Sequence, residues 1–297
     1  MPVNLLIATM MYKFDIRLVY SKYMTDTTSF GDRMKLYEGL EADRRLLPLA
    51  PVMARLDGRA FHTFTQGLDR PYDRRMVDIM RGTTQFLVAE TQALIGYTQS
   101  DEISLVWYSP DIKSQIFFDG RISKMTSILA AICSVEFNRL LPGFLPENRG
   151  DSPVFDCRVW TVPTKMEAAN TLLWREQDAT RNSVSAAAQS MFSHKELQGK
   201  NTNFMQEMLF AAGINWNDYP AFFKRGTWTQ KRRVIRPFTT EEIEKLPAKH
   251  EARKNPGLTV ERWNIQEINM PQFSRVANRV EVVFDGVDPV EHKEDIK

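Results

Sequence analysis

Two acidic residues, Asp57 and Asp101, stand where the sequence leaves apolar, strand-like runs. Val-Met-Ala-Arg-Leu leads into Asp57, and Asp101 lies at the hairpin-like tip of residues 97–108. If the two strands lie side by side, both carboxylates reach one edge of a sheet. Two-metal phosphoryl chemistry requires such a pair, because hard oxygen ligands hold two Mg²⁺ ions ~4 Å apart. Gly58 follows Asp57, and its missing side chain lets a backbone carbonyl approach a metal or a phosphate closely.

The same residues also have ordinary interpretations. A carboxylate at a strand end is usually a turn residue that accepts hydrogen bonds from nearby backbone NH groups. Glu102 either helps to position a metal or faces water. Residues 58–62 (Gly-Arg-Ala-Phe-His) offer successive backbone NH groups that can bind a triphosphate, or they form a simple turn. His62 either contacts a nucleotide or packs beside Phe61 and Phe64.

Cations recur at two further places. Arg121 and Lys124 are three residues apart near a predicted helix start, which puts both on one face. Cations there oppose the helix dipole, so phosphate binding explains them as well as a solvated face does. Residues 222–233 mix lysines and arginines with Phe222, Phe223 and Trp228. That composition suits RNA, although most charge runs are solvated surface.

The hydrophobic pattern predicts the elements that position these residues. Helices are expected over residues 30–47, 74–95 and 117–139, with strands at 51–61, two within 97–108, and one at 155–162. The order βαββαβ is the ferredoxin-like split motif, an α+β fold. Two helices cover one face of its antiparallel sheet, and the opposite face is expected to be open for substrate.

A C-terminal elaboration follows the split motif. Its predicted elements are helices at 166–192, 203–212 and 239–246, a basic strand or hairpin at 222–236, and a strand at 275–284. No internal repeat or low-complexity linker separates these parts. One compact unit is therefore expected rather than two free domains.

Composition sets wide bounds. The chain has 297 residues, 43% of them hydrophobic and 26% charged, which is ordinary for a globular protein. A net charge of +2 neither demands nor excludes a nucleic-acid partner. Cys133 and Cys157 lack CxxC or Cys/His spacing, so neither a disulfide framework nor a zinc site is expected. A reducing cytoplasm fits this usage best.

The N-terminal residues predict neither a membrane span nor a secretory signal peptide. Residues 3–10 are apolar, but charged residues follow at once and the run is far shorter than the ~20 residues of a membrane span. The order of charge and apolar residues is also wrong for a signal peptide. Residues 1–23 are interpreted as a poorly ordered or misassigned extension that precedes a natural-looking start at Met24.

Six blocks together resemble the tRNA-His guanylyltransferase family, including its guanylyltransferase-like members. In order they are RLDGRAFHTF (55–64), YTQSDEISLVW (97–107), RISK (121–124), FDCRVWTVP (155–163), LLWREQDATRN (172–182) and KRGT (224–227). The resemblance covers roughly residues 28–230 and implies a palm-type nucleotidyltransferase fold. It suggests a poorly ordered extension (1–27), a palm domain (28–163), a region of tRNA and oligomer contacts (164–234) and an unassigned C-terminal part (235–297).

The resemblance also implies roles for individual residues. Asp57 and Asp101 would bind two Mg²⁺ ions through their side chains and Gly58 through its carbonyl, and Glu102 completes the candidate catalytic set. The remaining assignments all concern nucleotide phosphates. Residues Asp57, Gly58, Arg59, Ala60, Phe61, His62, Ser100 and Asp101 would line a nucleoside triphosphate, Arg70 would contribute from a KPND-like turn written RPYD here, and Arg121 and Lys124 would hold a second nucleotide.

The activity implied by the resemblance is addition of GMP, or another NMP, to the 5′ end of tRNA in the 3′-to-5′ direction. ATP would activate the 5′ end and GTP would supply the nucleotide. Residues 179–185 (Ala-Thr-Arg-Asn-Ser-Val-Ser) lack the His and Tyr of the HINNLY-like stretch found in eukaryotic enzymes. Repair of 5′-truncated tRNAs is therefore as compatible as modification of tRNA-His. A cytoplasmic homotetramer, with no membrane association, is the expected form.

Two other functions share these features. A nucleotidyl cyclase or signalling-nucleotide synthase on the same palm would use the same two aspartates, but it has no use for the WREQD and KRGT blocks. A non-catalytic RNA-binding module could retain the fold, but intact Asp57, Gly58 and Asp101 argue against it.

Overall fold

The structure is a computed structural model that describes residues 29–145, 152–255 and 257–292. The chain divides into two compact units, residues 1–44 and 45–297. In the first unit the described part is helix α1 (Phe30–Ala42), shorter than the predicted 30–47. Its N-cap is Ser29, whose hydroxyl accepts a hydrogen bond from the Asp32 NH. The extension predicted for residues 1–27 lies outside the described residues.

The second unit is built on a six-stranded, wholly antiparallel sheet in the order β4-β1-β3-β2-β5-β6. The first four strands reproduce the predicted split motif, so the palm-type ferredoxin-like prediction is confirmed. The strands are β1 (Val52–Gly58), β2 (Ile95–Gln99), β3 (Glu102–Trp107), β4 (Phe155–Thr161), β5 (Thr227–Pro237) and β6 (Thr259–Ile268).

The described helices of this unit alternate with the strands as the motif requires, with α3 between β1 and β2 and α4 between β3 and β4. They are α2 (Phe61–Phe64), α3 (Arg74–Thr91), α4 (Ile122–Phe144), α5 (Lys165–Gln189), α6 (His194–Leu197), α7 (Thr202–Ala211), α8 (Ala221–Arg225), α9 (Thr240–Lys245) and α10 (Arg279–Asp285). Short 3₁₀ turns lie at Phe117–Gly120, Trp216–Asp218, Glu251–Arg253 and Phe273–Arg275. None of these helices combines the length and apolar character that a membrane crossing requires.

One face of the sheet carries the largest apolar core. Helices α3 and α4 bury Leu87, Leu129 and Phe137 against Leu56 and Leu105 of the central strands. Asp73 caps α3, since its carboxylate accepts a hydrogen bond from the Arg75 NH at 2.9 Å. The capped helix and the sheet together fix where the chain leaves β1 and returns as β2.

The opposite face is not open, and that expectation was wrong for most of its length. Met53, Ile95 and Val106 are fully buried there beneath helix α5, which contributes Ala168 and Leu172. The reason is visible in the strands: their apolar runs are continuous rather than alternating, and such strands are buried on both sides. Burial decreases at the end of the central strands that carries Asp57 and Glu102, both of which are half-buried.

The C-terminal region departs most from the sequence prediction. The segment 275–284, predicted as a strand, runs instead from the end of a 3₁₀ turn (Phe273–Arg275) into helix α10, which buries Val282 and Val283. The strand β6, which was not predicted, pairs with β5 over ten register positions. Most residues of β6 are exposed or half-buried, so its sequence carries no clear apolar period.

Candidate active site

A two-residue turn between β2 and β3 brings Asp101 next to Asp57. Gln99 pairs with Glu102 across this turn, and Ser100 adopts a positive φ of 55°. The Gly58 NH donates to the Asp101 carbonyl at 3.1 Å, which ties the end of β1 to the turn. Hence the two acidic residues, 44 positions apart in the sequence, lie at the same end of the sheet.

A cleft of about 820 Å³ opens at this end of the sheet. Of the residues predicted from sequence, its walls include Asp57, Phe61, His62, Arg70, Ser100, Asp101 and Glu102. Gly58, Arg59, Ala60, Arg121 and Lys124 are not part of this lining. Arg121 is the N-cap of α4 and forms a backbone bridge with Arg45. The cleft therefore gathers most of the first set of predicted nucleotide ligands, without Gly58, Arg59 and Ala60, and leaves out Arg121 and Lys124 of the second set.

The loop after β1 uses part of its hydrogen-bonding capacity internally. The Gly58 NH is bonded to Asp101 and the Arg59 NH donates to Val154 at 2.9 Å. Ala60 takes a left-handed conformation, φ 54° and ψ 32°, at the start of α2. Two of the five NH groups predicted to bind a triphosphate are thus already occupied by the protein.

Gly58 is required by a close approach. A Cβ atom there would lie 2.2 Å from the Phe61 ring, which is only 3% exposed. The ring cannot move away easily, because it packs against Phe64, Phe137 and Phe155 at centroid distances of 5.0–5.5 Å. Phe61 is therefore chiefly a core residue whose edge reaches the cleft.

The electrostatics of the acidic pair fit a cation. Burial raises the pKa of the Asp101 carboxyl, and the nearby charge of Asp57 raises it further, while a hydrogen bond from the Ser100 hydroxyl at 3.0 Å opposes the shift. A divalent cation between the two groups would relieve this repulsion. Among the described residues no set of three or more His, Cys, Asp or Glu side chains could hold a metal. A site with two carboxylates would suit Mg²⁺, since that ion takes its other ligands from substrate and water.

Glu102 is placed differently from its two neighbours. Its oxygens accept hydrogen bonds from the Arg175 guanidinium at 2.6 and 2.7 Å, and Arg55 Nε lies 4.0 Å away. Burial raises the pKa of Glu102, although Arg175 opposes the shift. Of the two interpretations left open for this residue, metal positioning or a solvated side chain, the second is wrong, because the side chain is half-buried and both of its oxygens are bonded by Arg175.

The far walls of the cleft are aromatic and basic. Trp174 on α5 is 50% exposed, and the Arg175 guanidinium lies 4.5 Å from its ring centre. At the other end Tyr72 packs against Phe222 and Phe223, and the exposed Arg70 lies beside them. Flat rings and guanidinium groups of this kind can stack bases and bind phosphates.

Several lining residues were not singled out from the sequence, among them Arg55, Asp178 and Asn182. A signal for two of them exists in the spacing. Trp174, Asp178 and Asn182 follow one another at intervals of four, which puts them on one face of α5. Arg55 gave no signal, because it sits inside an apolar strand run.

Comparison with known proteins places this geometry in a family. Residues 31–163 match the family model described as tRNAHis guanylyltransferase. The chain is 30% identical to a probable tRNA(His) guanylyltransferase of Bos taurus, over 76% of this chain and 79% of the relative. It is 32% identical to an uncharacterised protein of Acanthamoeba polyphaga mimivirus, over 69% and 77% of the two chains.

Solved structures agree with the sequence comparison. A bacterial tRNA(His) guanylyltransferase-like protein in complex with ATP has a TM-score of 0.69 and 31% identity, and the match covers 86% of this chain and 99% of that one. A bacterial protein of the same description in complex with GTP has a TM-score of 0.63 and 29% identity, with 83% and 94% coverage. The match extends well beyond the split motif into the C-terminal elements.

Proposed function

Since the chain belongs to the tRNA(His) guanylyltransferase family of nucleotidyltransferases, we propose that it adds a nucleotide to the 5′ end of a tRNA in the 3′-to-5′ direction. The observation that carries the proposal is the convergence of Asp57 and Asp101 at one end of a cleft with arginine and aromatic walls. Neither the cyclase nor the RNA-binding alternative accounts for all of these features together.

The proposed reaction has two steps. The tRNA 5′-phosphate first attacks the α-phosphorus of ATP, which forms an adenylylated 5′ end and releases pyrophosphate. The 3′-hydroxyl of GTP, or of another nucleoside triphosphate, then attacks the tRNA 5′-phosphorus and displaces AMP. Both nucleotides are supported by the bacterial relatives solved in complex with ATP and with GTP.

Asp57 and Asp101 would hold two Mg²⁺ ions through their carboxylates, and Gly58 through its carbonyl. The metal would supply charge neutralisation and would lower the pKa of the attacking hydroxyl. The protein's remaining task is positioning, because phosphoryl transfer asks little covalent help from side chains. Arg70, His62 and Ser100, which line the cleft, would orient the triphosphate.

Other parts of the proposal concern the second nucleotide and the RNA. Arg121 and Lys124 would bind the phosphates of a second nucleotide outside the cleft described above. Residues 164–234, with Trp174 and Phe222 in the cleft wall, would contact the tRNA. We further propose that the protein is a homotetramer of the cytoplasm, and that its substrate is either tRNA-His or a 5′-truncated tRNA.

The test is nucleotide addition by Asp57→Asn and Asp101→Asn variants. With 5′-phosphorylated tRNA, ATP and labelled GTP, each should lose about a hundredfold or more in rate, because each removes a charged ligand while keeping its shape. Asp156→Asn is the matched control, since Asp156 is the register partner of Asp57 on β4 but is exposed and outside the cleft lining.

Three results would contradict the proposal. An undiminished rate of nucleotide addition by either variant would show that the acidic pair is not needed for the reaction. An equal loss in Asp156→Asn would show that charge near the sheet end matters only in general. A cyclic product formed from GTP and ATP without RNA would favour the cyclase alternative.

A further inference from the structure

Arg175 reaches the acidic end of the cleft from a distant part of the chain. It lies on α5, 73 residues after Glu102, yet its Nε and Nη2 atoms donate to the two oxygens of that carboxylate at 2.6 and 2.7 Å. Nη2 also donates to Asp178 at 3.0 Å. The Arg175 side chain is 11% exposed and that of Glu102 16%, so this fork-to-fork pair is largely shielded from water.

Glu102 occupies a position from which a third carboxylate could join the acidic pair. It follows Asp101 directly and is the register partner of Asp57 across β1 and β3. Both of its oxygens, however, are bonded by Arg175, which occupies two of the carboxylate's roughly four lone-pair sites and fixes its orientation. A second cation, Arg55, lies 4.0 Å from the same carboxylate, and its buried Nε makes no hydrogen bond. Glu102 is therefore held by α5, and among the described residues it does not join Asp57 and Asp101 in a three-carboxylate group that could hold a metal.

We propose that Arg175 is a positioning residue that holds Glu102 out of the cation site and limits the carboxylates facing a divalent ion to Asp57 and Asp101. The inference rests on the proposed function insofar as that function requires the ion. The number of charged ligands tunes how tightly an oxygen site binds a cation. A third free carboxylate would bind the ion more strongly and leave less of its positive charge for substrate oxygens.

The deciding measurement is Mn²⁺ binding by calorimetry to the full-length protein, without nucleotide or RNA. Arg175→Met frees Glu102, so Mn²⁺ should bind about tenfold more tightly, because an additional negative charge near the site attracts the ion. Nucleotide addition to tRNA should at the same time slow by about tenfold or more. Tighter cation binding combined with slower turnover is a result that loss of fold cannot produce.

Two further variants test whether the effect is specific to Arg175. Arg175→Lys keeps the charge but not the fork, and should recover part of the turnover. Arg139→Met is the matched control, because Arg139 holds Glu136 in the same two-bond geometry at 2.7 and 2.7 Å on α4, and neither residue lines the cleft. Its Mn²⁺ affinity should equal that of the unmodified protein.

The double variant Arg175→Met/Glu102→Gln tests whether Arg175 acts through Glu102. Its Mn²⁺ affinity and turnover should match those of Glu102→Gln alone within about threefold, because nothing remains for Arg175 to hold. This comparison also serves if Arg175→Met does not fold, since removing both members of a buried ion pair is tolerated better than removing one.

The proposal is overturned if Arg175→Met binds Mn²⁺ with the affinity of the unmodified protein. It is also overturned if adding Arg175→Met to Glu102→Gln changes Mn²⁺ affinity and turnover as much as Arg175→Met alone does. These outcomes are separate from failure of the proposed function. If the unmodified protein adds no nucleotide to any tRNA, the nucleotidyl-transfer proposal fails, while the Mn²⁺ comparison still decides what Arg175 does.

Discussion

At the scale of single residues, the site depends on close approaches that tolerate no added atoms. Gly58 lies under the Phe61 ring, and the ring is locked by three other phenylalanines. The glycine does not have a positive φ, so the reason for it is space rather than backbone conformation.

Replacing Gly58 with Ala should therefore destabilise the protein by about 1–3 kcal/mol, the usual range for overpacking a core. Urea unfolding followed by circular dichroism measures the difference. Gly143→Ala is the control: a Cβ there meets nothing within 4 Å, and the site is helical, so its stability should be unchanged or slightly higher. Equal stability of Gly58→Ala and the unmodified protein would show that Phe61 yields without cost.

The residue scale also shows what a sequence can reveal. Asp57 and Asp101 were identifiable because each ends an apolar run, and the split motif makes those runs neighbours. The partner of Glu102 was not identifiable, since Arg175 is 73 residues away and the contact depends on how α5 packs on the sheet. Internal use of the Gly58 and Arg59 NH groups was equally invisible, because it depends on where Asp101 and Val154 lie.

At the scale of elements, helix α5 joins the palm sheet to the C-terminal segment. Its Glu176 is 2% exposed and accepts a hydrogen bond from the Phe273 NH at 2.8 Å. Burial raises the pKa of this carboxyl to about 7, against the opposing effects of the Phe273 hydrogen bond and of Arg225. The folded protein thus binds a proton at Glu176 more strongly than the unfolded chain does.

This shift predicts a pH dependence of stability. Because the folded pKa lies above the unfolded value of about 4.3, the contribution of Glu176 is complete below that pH and is lost as pH rises through 7. The free energy of unfolding of Glu176→Gln, measured relative to that of the unmodified protein, should rise by about 3 kcal/mol between pH 4 and pH 8. Denaturant unfolding across that range provides the measurement, and a difference that stays flat with pH would contradict it.

Element boundaries also show where sequence patterns fail. The segment 275–284 is rich in valine, which favours strands, but its chain forms helix α10 and ends at Gly286, whose φ is 70°. Tertiary packing of Val282 and Val283 decides the outcome over intrinsic preference. Strand β6 was missed because its sequence lacks an apolar pattern. It is held by pairing with β5, which requires little apolar surface.

At the scale of the whole molecule, two of the cores of the second unit lie on opposite faces of one sheet, and the C-terminal segment completes the one beneath α5. Phe273 is fully buried and packs on Trp228 with ring centres 4.6 Å apart, and Trp228 in turn packs on Tyr97 at 4.7 Å. Residues far beyond the family match of 31–163 therefore stabilise the central strands.

Phe273→Ala should accordingly destabilise the protein by about 3–5 kcal/mol, the cost of removing a buried ring and leaving a cavity. The unfolding midpoint, followed by tryptophan fluorescence, reports the change. Phe210→Ala is the control, because Phe210 is 69% exposed on α7 and its loss should stay within about 0.5 kcal/mol. Matching losses for the two variants would mean that the core beneath α5 is not a unit of stability.

Arg175 and Glu176 are neighbours on α5, and successive helical side chains diverge by about 100°. Arg175 donates to Glu102 at the acidic end of the cleft, and Glu176 accepts a hydrogen bond from the Phe273 NH. These two contacts fix the rotation of helix α5 about its own axis, because any rotation would break at least one of them. Loss of the Glu176–Phe273 contact would therefore also free the rotation of the cleft wall that carries Arg175.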